Sequence, residues 1–426
     1  MNISKVAVLG AGGRMGSLTG GLIAQNQLEV YFLSRTDESA LKGVKRAIEQ
    51  ARSESIKKFI KVGNYDKNIE QALKDADWII ESVAENLTIK EGIYDLIEKH
   101  RSQNSIVSSM TSSLPLKLLC GNRSDNFKNH FLGVHFYNPP GKLLACEIAA
   151  HDGTSPAIVQ FMEKFVTKNL HRKTILVHDS PAYAGNRIAF LIFAETTKMA
   201  EEIGVEMTDY LIGPYTGRAL SPLATLDLVG LDIHEAIIKT VQKYTNDSMH
   251  SYFKIPRYLD HLIKSGNLGN KTPIKGGFYK KEREGKRLVY SIPKLQYVEY
   301  VRPSIDFVEQ AIRKVRVGEY QKAFNIILNA YGREAEMLRK ILFLYVDYSY
   351  RCIGEVADHE SGIAPIDNVM GFGFNWAPPS LILEMLGGET TIRTLAKDIL
   401  PQEIQRDYNF RKWEKTSGFG RYFIAR

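Results

Sequence analysis

Between the apolar run Val6-Ala7-Val8-Leu9 and the small, helically spaced stretch Met15 to Gln25 stands Gly10-Ala11-Gly12-Gly13-Arg14-Met15-Gly16; a second apolar run, Val30-Tyr31-Phe32-Leu33, follows. A strand ending in glycines, then a helix, then a strand is a βαβ unit. Gly10 permits the tight turn, Gly12 lets backbone approach a pyrophosphate, and Gly13 or Gly16 allows close packing of the helix. Free amides at the helix start and its positive end favour an anion. The spacing is GxGxxxG, one residue longer than the commonest form. The candidate dinucleotide contacts are therefore Gly10, Gly12, Gly13, Met15 and Gly16.

Apolar runs at Trp78-Ile79-Ile80, Ile106-Val107, Phe131 to Val134 and Thr174 to Val177, separated by helical stretches, extend this unit into a mainly parallel sheet. The domain is expected to end near Asp179. Beyond it long helical periodicity takes over, in Ala182 to Ile203 and Ile233 to Tyr244. A Gly- and Lys-rich interval, 266–287, leads to the β-branched and aromatic stretch Leu288 to Ile292, and helices resume from Ser304. The expected domains are 1–179, 180–295 and 296–426, in keeping with a chain of 426 residues, longer than one core usually grows.

The two helical portions share a pattern. Asp209 precedes Pro222, Asp227 and Gly230, while Asp367 precedes Pro379, Glu384 and Gly387; Pro to carboxylate is five residues and Pro to Gly eight in both. Any two amphipathic helices introduced by Pro could share such spacings, so duplication and coincidence both stand at this level.

Composition narrows the function classes. With 44% hydrophobic and 24% charged residues the chain is globular rather than disordered. Cys120, Cys146 and Cys352 are too far apart for a CxxC pair or a zinc knuckle; they read as buried small apolar residues, and no metal site is expected. A net charge of +8 would suit nucleic acid, a membrane surface or a small polyanion such as a nucleotide or acyl-coenzyme A. The cations are dispersed, and the groups at Lys57-Lys58, Lys61 and Lys280 to Arg287 read as solvated faces, so neither nucleic acid nor membrane is expected as a partner. The longest apolar run, Ile188 to Ala194, has seven residues, and the amino terminus enters a strand directly. The expected location is cytoplasmic.

Cofactor choice belongs to the end of the second strand, where an NAD site usually carries an acid for the ribose hydroxyls. Here the residues are Ser34-Arg35-Thr36. A hydroxyl and a guanidinium can hold a 2′-phosphate, and Asp37 is near enough to supply an acid through a bent loop. NAD is the expected cofactor, with NADP the alternative.

His135 leaves a strand at the edge where such sheets bind ligands, and Glu147 stands in the apolar stretch Leu143 to Ala150. A carboxylate there needs a partner, and a histidine could answer it; the pairing would hold one imidazole tautomer and leave the other nitrogen for a substrate hydroxyl. Ser108 to Leu114 and Gly185-Asn186-Arg187 are further polar clusters, of a kind that often only caps helices.

Taken together, Gly10 to Gly16, Glu81 to Leu87 with Lys90, Thr111 to Leu114, His135 to Pro139 with Glu147, Ser180-Pro181 to Arg187, Leu226 to Asp232 and Lys271 to Tyr279 make the chain resemble the L-3-hydroxyacyl-CoA dehydrogenase family. The resemblance implies a Rossmann domain followed by two all-α domains like those of 6-phosphogluconate dehydrogenase, and it supports the repeat, because Ile366 to Trp376 looks like a second copy. It implies reversible oxidation of a 3-hydroxyacyl thioester, with His135 as general base and Glu147 as its orienting carboxylate. Ser112 and Asn186 would bond the substrate oxygen and the histidine region, and Glu85, Asn86 and Lys90 would lie by cofactor and acyl chain. Relatives carry an enoyl-CoA hydratase module, which does not follow here, so a separate hydratase or thiolase is a conceivable partner. A monomer is expected, with a homodimer the alternative. Dehydrogenation of another 3-hydroxy acid and a noncatalytic dinucleotide-binding scaffold are the competing functions.

Three positions depart from the family pattern: Met110 replaces the usual Asn, Ser34 the usual Asp, and the glycine turn is one residue long. The stretch from Ser34 to Glu81 is also short for the family's helical clasp on coenzyme A.

Overall fold

A computed structural model describes residues 1–281, 285–405 and 422–423. The chain forms two compact units. One comprises Met1–Tyr183 with Val356–Asp358, and the other Ala184–Glu355 with the described residues from His359 onward.

The first unit is an eight-stranded sheet with helices. Its strands are β1 (Lys5–Leu9), β2 (Glu29–Ser34), β3 (Ile60–Asn64), β4 (Trp78–Glu81), β5 (Ile106–Ser109), β6 (Phe131–Phe136), β7 (Ala145–Ala150) and β8 (Lys173–His178). The order is β3-β2-β1-β4-β5-β6-β7-β8. Neighbours from β3 to β6 run parallel, β7 is antiparallel to β6, and β8 is parallel to β7. This is the doubly wound arrangement expected, with β3 added at the edge. β4, β5 and β6 are buried at every residue, as strands covered on both faces must be.

The helices of this unit are α1 (Arg14–Gln25), α2 (Asp37–Ala51), α3 (Tyr65–Asp75), α4 (Leu87–His100), α5 (Leu116–Cys120), α6 (Asp125–Asn129) and α7 (Pro156–Lys168). Gly10 has φ +85°, a conformation that glycine alone adopts without strain, and it turns the chain from β1 into α1. A Cβ on Gly16 would stand 2.7 Å from the Gly10 carbonyl oxygen, so the close approach of helix to turn also requires glycine. Between Ser34 and Glu81 the chain makes α2, a 3-10 turn (Glu54–Phe59), β3 and α3. Lys57 and Lys58 are exposed on that turn, and Lys61 pairs with Glu29 at 3.0 Å.

The second unit is largely helical. It contains α8 (Gly185–Ile203), α9 (Val205–Leu211), α10 (Pro222–Val229), α11 (Leu231–Tyr244), α12 (Arg257–Lys264), α13 (Asp306–Arg316), α14 (Tyr320–Asn329), α15 (Arg333–Arg351), α16 (Ala364–Val369), α17 (Pro379–Met385) and α18 (Glu389–Ile399). A small antiparallel sheet, β9 (Tyr279–Lys281), β10 (Arg287–Ser291) and β11 (Gln296–Glu299), sits between α12 and α13 in sequence. Among the described residues no helix is long and apolar enough to cross a membrane.

The sequence repeat has a structural counterpart here. Asp209 accepts backbone bonds from Leu223 (2.8 Å) and Ala224 (3.0 Å) at the start of α10, and Asp367 accepts from the Ser380 amide (3.1 Å) at the start of α17. Each carboxylate thus caps the helix that its Pro introduces. Nine residues after Asp209 and nine after Asp367 stand Arg218 and Trp376, which form an antiparallel bridge with each other. The Ala377 amide donates to the Gly217 carbonyl (2.6 Å), and the Ala219 amide to that of Asn375 (3.2 Å). Gly217 and Asn375, at matching places, both have positive φ, +88° and +52°. Positions that share a place in the two patterns therefore pair with each other. The buried Arg218 guanidinium lies 4.0 Å from the Trp376 ring centroid, and desolvation pushes its pKa down to about 10.

Candidate active site

The antiparallel register of β6 and β7 sets His135 directly opposite Glu147 and so fixes the central pair. His135 Nδ1 is 2.8 Å from Glu147 Oε2, and the Tyr137 hydroxyl donates to the same oxygen at 2.9 Å. Glu147 is fully buried and His135 is 7% exposed. Burial, then the adjacent Glu147 charge, holds the Tyr137 phenol well above its ordinary pKa, so it remains a donor throughout the physiological range. A carboxylate receiving a hydroxyl bond stays an acceptor; Nδ1 is then the donor, and the imidazole lone pair belongs to Nε2.

Two tyrosines flank the imidazole. The Tyr137 ring is 4.9 Å away and the Tyr183 ring 5.8 Å. Tyr183 follows Ala182 in a turn where both have positive φ, +49° and +65°, an arrangement disfavoured for residues with a Cβ. The Ala182 amide donates to the Ser113 carbonyl (3.3 Å), which ties this turn to the serine-rich loop.

That loop is organised by Glu85. Its Oε1 accepts from the Thr111 hydroxyl (2.5 Å), the Ser112 amide (3.1 Å), the Ser113 amide (3.2 Å) and the Ser113 hydroxyl (3.1 Å). Ser112 itself is half-buried. Lys90, 1% exposed, holds Glu85 at 3.3 Å and Glu81 at 2.8 Å, and Glu81 also accepts from Tyr94 (2.6 Å) and Ser109 (2.7 Å). Burial disfavours the charged forms, but the opposed charges outweigh it: the Lys90 pKa is raised and that of Glu85 is lowered. Asn86 caps α4 by accepting from the Ile89 amide at 3.1 Å.

The glycine turn fits a dinucleotide. α1 begins at Arg14 with no side-chain cap on Gly13 and no acid in its first turn, leaving the positive helix end for a pyrophosphate. Met15, half-buried, and Gly16 lie in that first turn. Ser34 is nearly closed off, and its hydroxyl accepts from the Gly12 amide at 2.7 Å. Arg35 is exposed.

The structure thus brings together His135 with Glu147, Glu85 with the Ser112 loop and Lys90, and the glycine turn with Ser34. Asn186 lies buried in the first turn of α8, in the helical unit. Tyr137, Tyr183 and Glu81 were not singled out by sequence reasoning. Glu81 opens one of the family motifs and also stands out as a lone acid closing the apolar strand Trp78-Ile79-Ile80.

A doubly wound dinucleotide domain with a buried histidine–carboxylate pair at its strand ends, followed by a helical unit, defines a dehydrogenase type of architecture. The comparisons specify it. Residues 5–180 match the family model described as 3-hydroxyacyl-CoA dehydrogenase, NAD binding domain, and residues 183–281 match that of the family's C-terminal domain. A probable 3-hydroxyacyl-CoA dehydrogenase from Bacillus subtilis is 32% identical over 88% of this chain and 50% of its own length. One from Deinococcus radiodurans is 31% identical over 67% of this chain and 85% of its own. The crystal structure of 3-hydroxybutyryl-CoA dehydrogenase from Escherichia coli K12 superposes with a TM-score of 0.67 at 17% identity, covering 93% of this chain and 94% of that one; it shows shared fold. The chain belongs to the 3-hydroxyacyl-CoA dehydrogenase family, and it spans half the length of its Bacillus relative.

Proposed function

We propose that the protein catalyses reversible oxidation of an L-3-hydroxyacyl-CoA to the 3-oxoacyl-CoA, with hydride passing to a nicotinamide dinucleotide. The observation that carries this reading is the His135–Glu147 pair, buried and in register at the strand ends where such sheets receive ligands. Bound NAD supplies the hydride acceptor. His135 Nε2 takes the proton of the substrate hydroxyl, so that oxidation yields a neutral carbonyl. Glu147 holds the imidazole by Nδ1 and stabilises the imidazolium, and Tyr137 holds Glu147. Glu85 and Lys90 set the loop that presents Ser112, and Glu85, whose side chain is 29% exposed, stays available to the cofactor. Ser112 and, from the helical unit, Asn186 are assigned to the substrate oxygen and the histidine region.

We also read the helical unit as two copies of one domain, supported by the matched caps of Asp209 and Asp367 and by the Arg218–Trp376 bridge. The long helix of the first copy, α8, opens with Gly185-Asn186-Arg187, whereas α15 contains no asparagine.

The test is the initial rate of 3-oxoacyl-CoA reduction across short and long acyl chains. Turnover is expected; binding of dinucleotide without turnover on any acyl-CoA would refute the assignment.

A further inference from the structure

In a sheet of this topology the adenosine ribose of a bound dinucleotide rests over the end of β2, and a site for the unphosphorylated cofactor meets its hydroxyls there with a carboxylate. This chain offers none at that place. The strand ends in Ser34, which is 3% exposed and whose oxygen is occupied with the Gly12 amide, so it braces the glycine turn. The next acid, Asp37, begins α2, and its Oδ1 accepts from Asn64 Nδ2 at 3.0 Å, drawing it towards the turn between β3 and α3. Thr36 is likewise committed, capping α2 by accepting from the Ser39 amide at 3.2 Å.

Cations replace the missing acid. Arg35 is exposed immediately beyond the strand, next to Ser34, whose hydroxyl accepts from the Gly12 amide. Arg46, also exposed, reaches back from α2 to donate to the Gly12 carbonyl at 2.6 Å. One guanidinium thus meets the glycine turn, and a second arginine, Arg35, directly follows the strand end that braces it. Guanidinium forks suit a phosphate dianion in charge and shape, whereas ribose hydroxyls gain little from them.

We infer that Arg35 and Arg46 form a subsite for the 2′-phosphate of an adenine dinucleotide, so that the protein takes NADPH at least as tightly as NADH. The inference rests on the reading of the glycine turn as a dinucleotide site but not on the identity of the hydroxyacyl substrate. It concerns the phosphorylated form of the cofactor, in a domain whose family model is named for NAD.

The experiment is direct binding of NADH and NADPH, followed by quenching of protein fluorescence, on the full chain and on Arg35→Ala, with Lys61→Ala as a control cation at the outer edge of the sheet. The dissociation constant for NADPH is expected to equal or undercut that for NADH in the parent protein. The ratio of the NADPH to the NADH constant should rise about tenfold in Arg35→Ala, the effect of one lost charge-assisted hydrogen bond, and stay put in Lys61→Ala. Binding of NADH by the variant reports that it is folded. Added salt should weaken NADPH more than NADH. Tighter binding of NADH by the parent protein, or an unchanged ratio in Arg35→Ala, would overturn the inference. Turnover with NADH measured alongside tests the proposed function separately: an enzyme active with NADH alone loses the subsite and keeps the reaction.

Discussion

Glu147 stands opposite His135 across β6 and β7, with Oε2 2.8 Å from Nδ1, and Tyr137, the first residue beyond the end of β6, donates to that same oxygen. Strand register sets His135 against Glu147, the Tyr137 bond holds that carboxylate, and the histidine is oriented before any ligand arrives. Glu147→Gln keeps the shape and removes the charge that stabilises the imidazolium. The maximal rate should fall by about a hundredfold, within the range for loss of acid–base assistance, while dinucleotide affinity stays within about twofold. Steady-state kinetics together with a binding titration checks both.

Lys90 is the only cation contacting both Glu81 and Glu85 among the described ion pairs. Lys90→Met would leave the fully buried Glu81 without its counter-charge, a class of change that costs about 3–5 kcal/mol, and would release the part-exposed Glu85. Denaturant unfolding should show that loss, and the rate should fall as well, because Glu85 then no longer fixes the Ser112 loop.

Three buried aspartates of the helical unit shift the other way. Burial, outweighing the bonds from Ser380, pushes Asp367 up to about 7, and burial likewise pushes Asp209 to about 6 and Asp227 to about 7. A carboxyl whose folded pKa exceeds its unfolded value of about 3.9 binds more protons in the folded state between those two values, so its contribution to stability falls as pH rises through that window. Asp367→Asn removes one such group. The melting temperature of the parent minus that of the variant should therefore decrease from pH 5 to pH 8 and level off above it; a difference that grows with pH would contradict the assignment.

Much of this architecture is local and was legible in the chain. The glycine turn, its flanking strands and α1 depend on neighbours in sequence, and the buried strands β4 to β6 announce themselves as apolar runs. β3, Ile60-Lys61-Val62-Gly63-Asn64, is a polar edge strand that imitates a loop, and β9 and β11 hide in charged sequence in the same way. The need of Glu147 for a partner could be read from its apolar setting. Its second donor, Tyr137, could not, because only the folded path of the chain beyond β6 brings that hydroxyl to Glu147. The matching spacing of the two helical portions was visible, yet the Arg218–Trp376 bridge was not, because the two positions carry unlike residues.

The central claim is that His135 moves the proton of the substrate hydroxyl. Its most direct test is the initial rate of 3-oxoacyl-CoA reduction by His135→Ala, with dinucleotide binding measured on the same preparation. The account expects binding to be preserved and the rate to fall by about a thousandfold. A rate equal to that of the parent protein would contradict it.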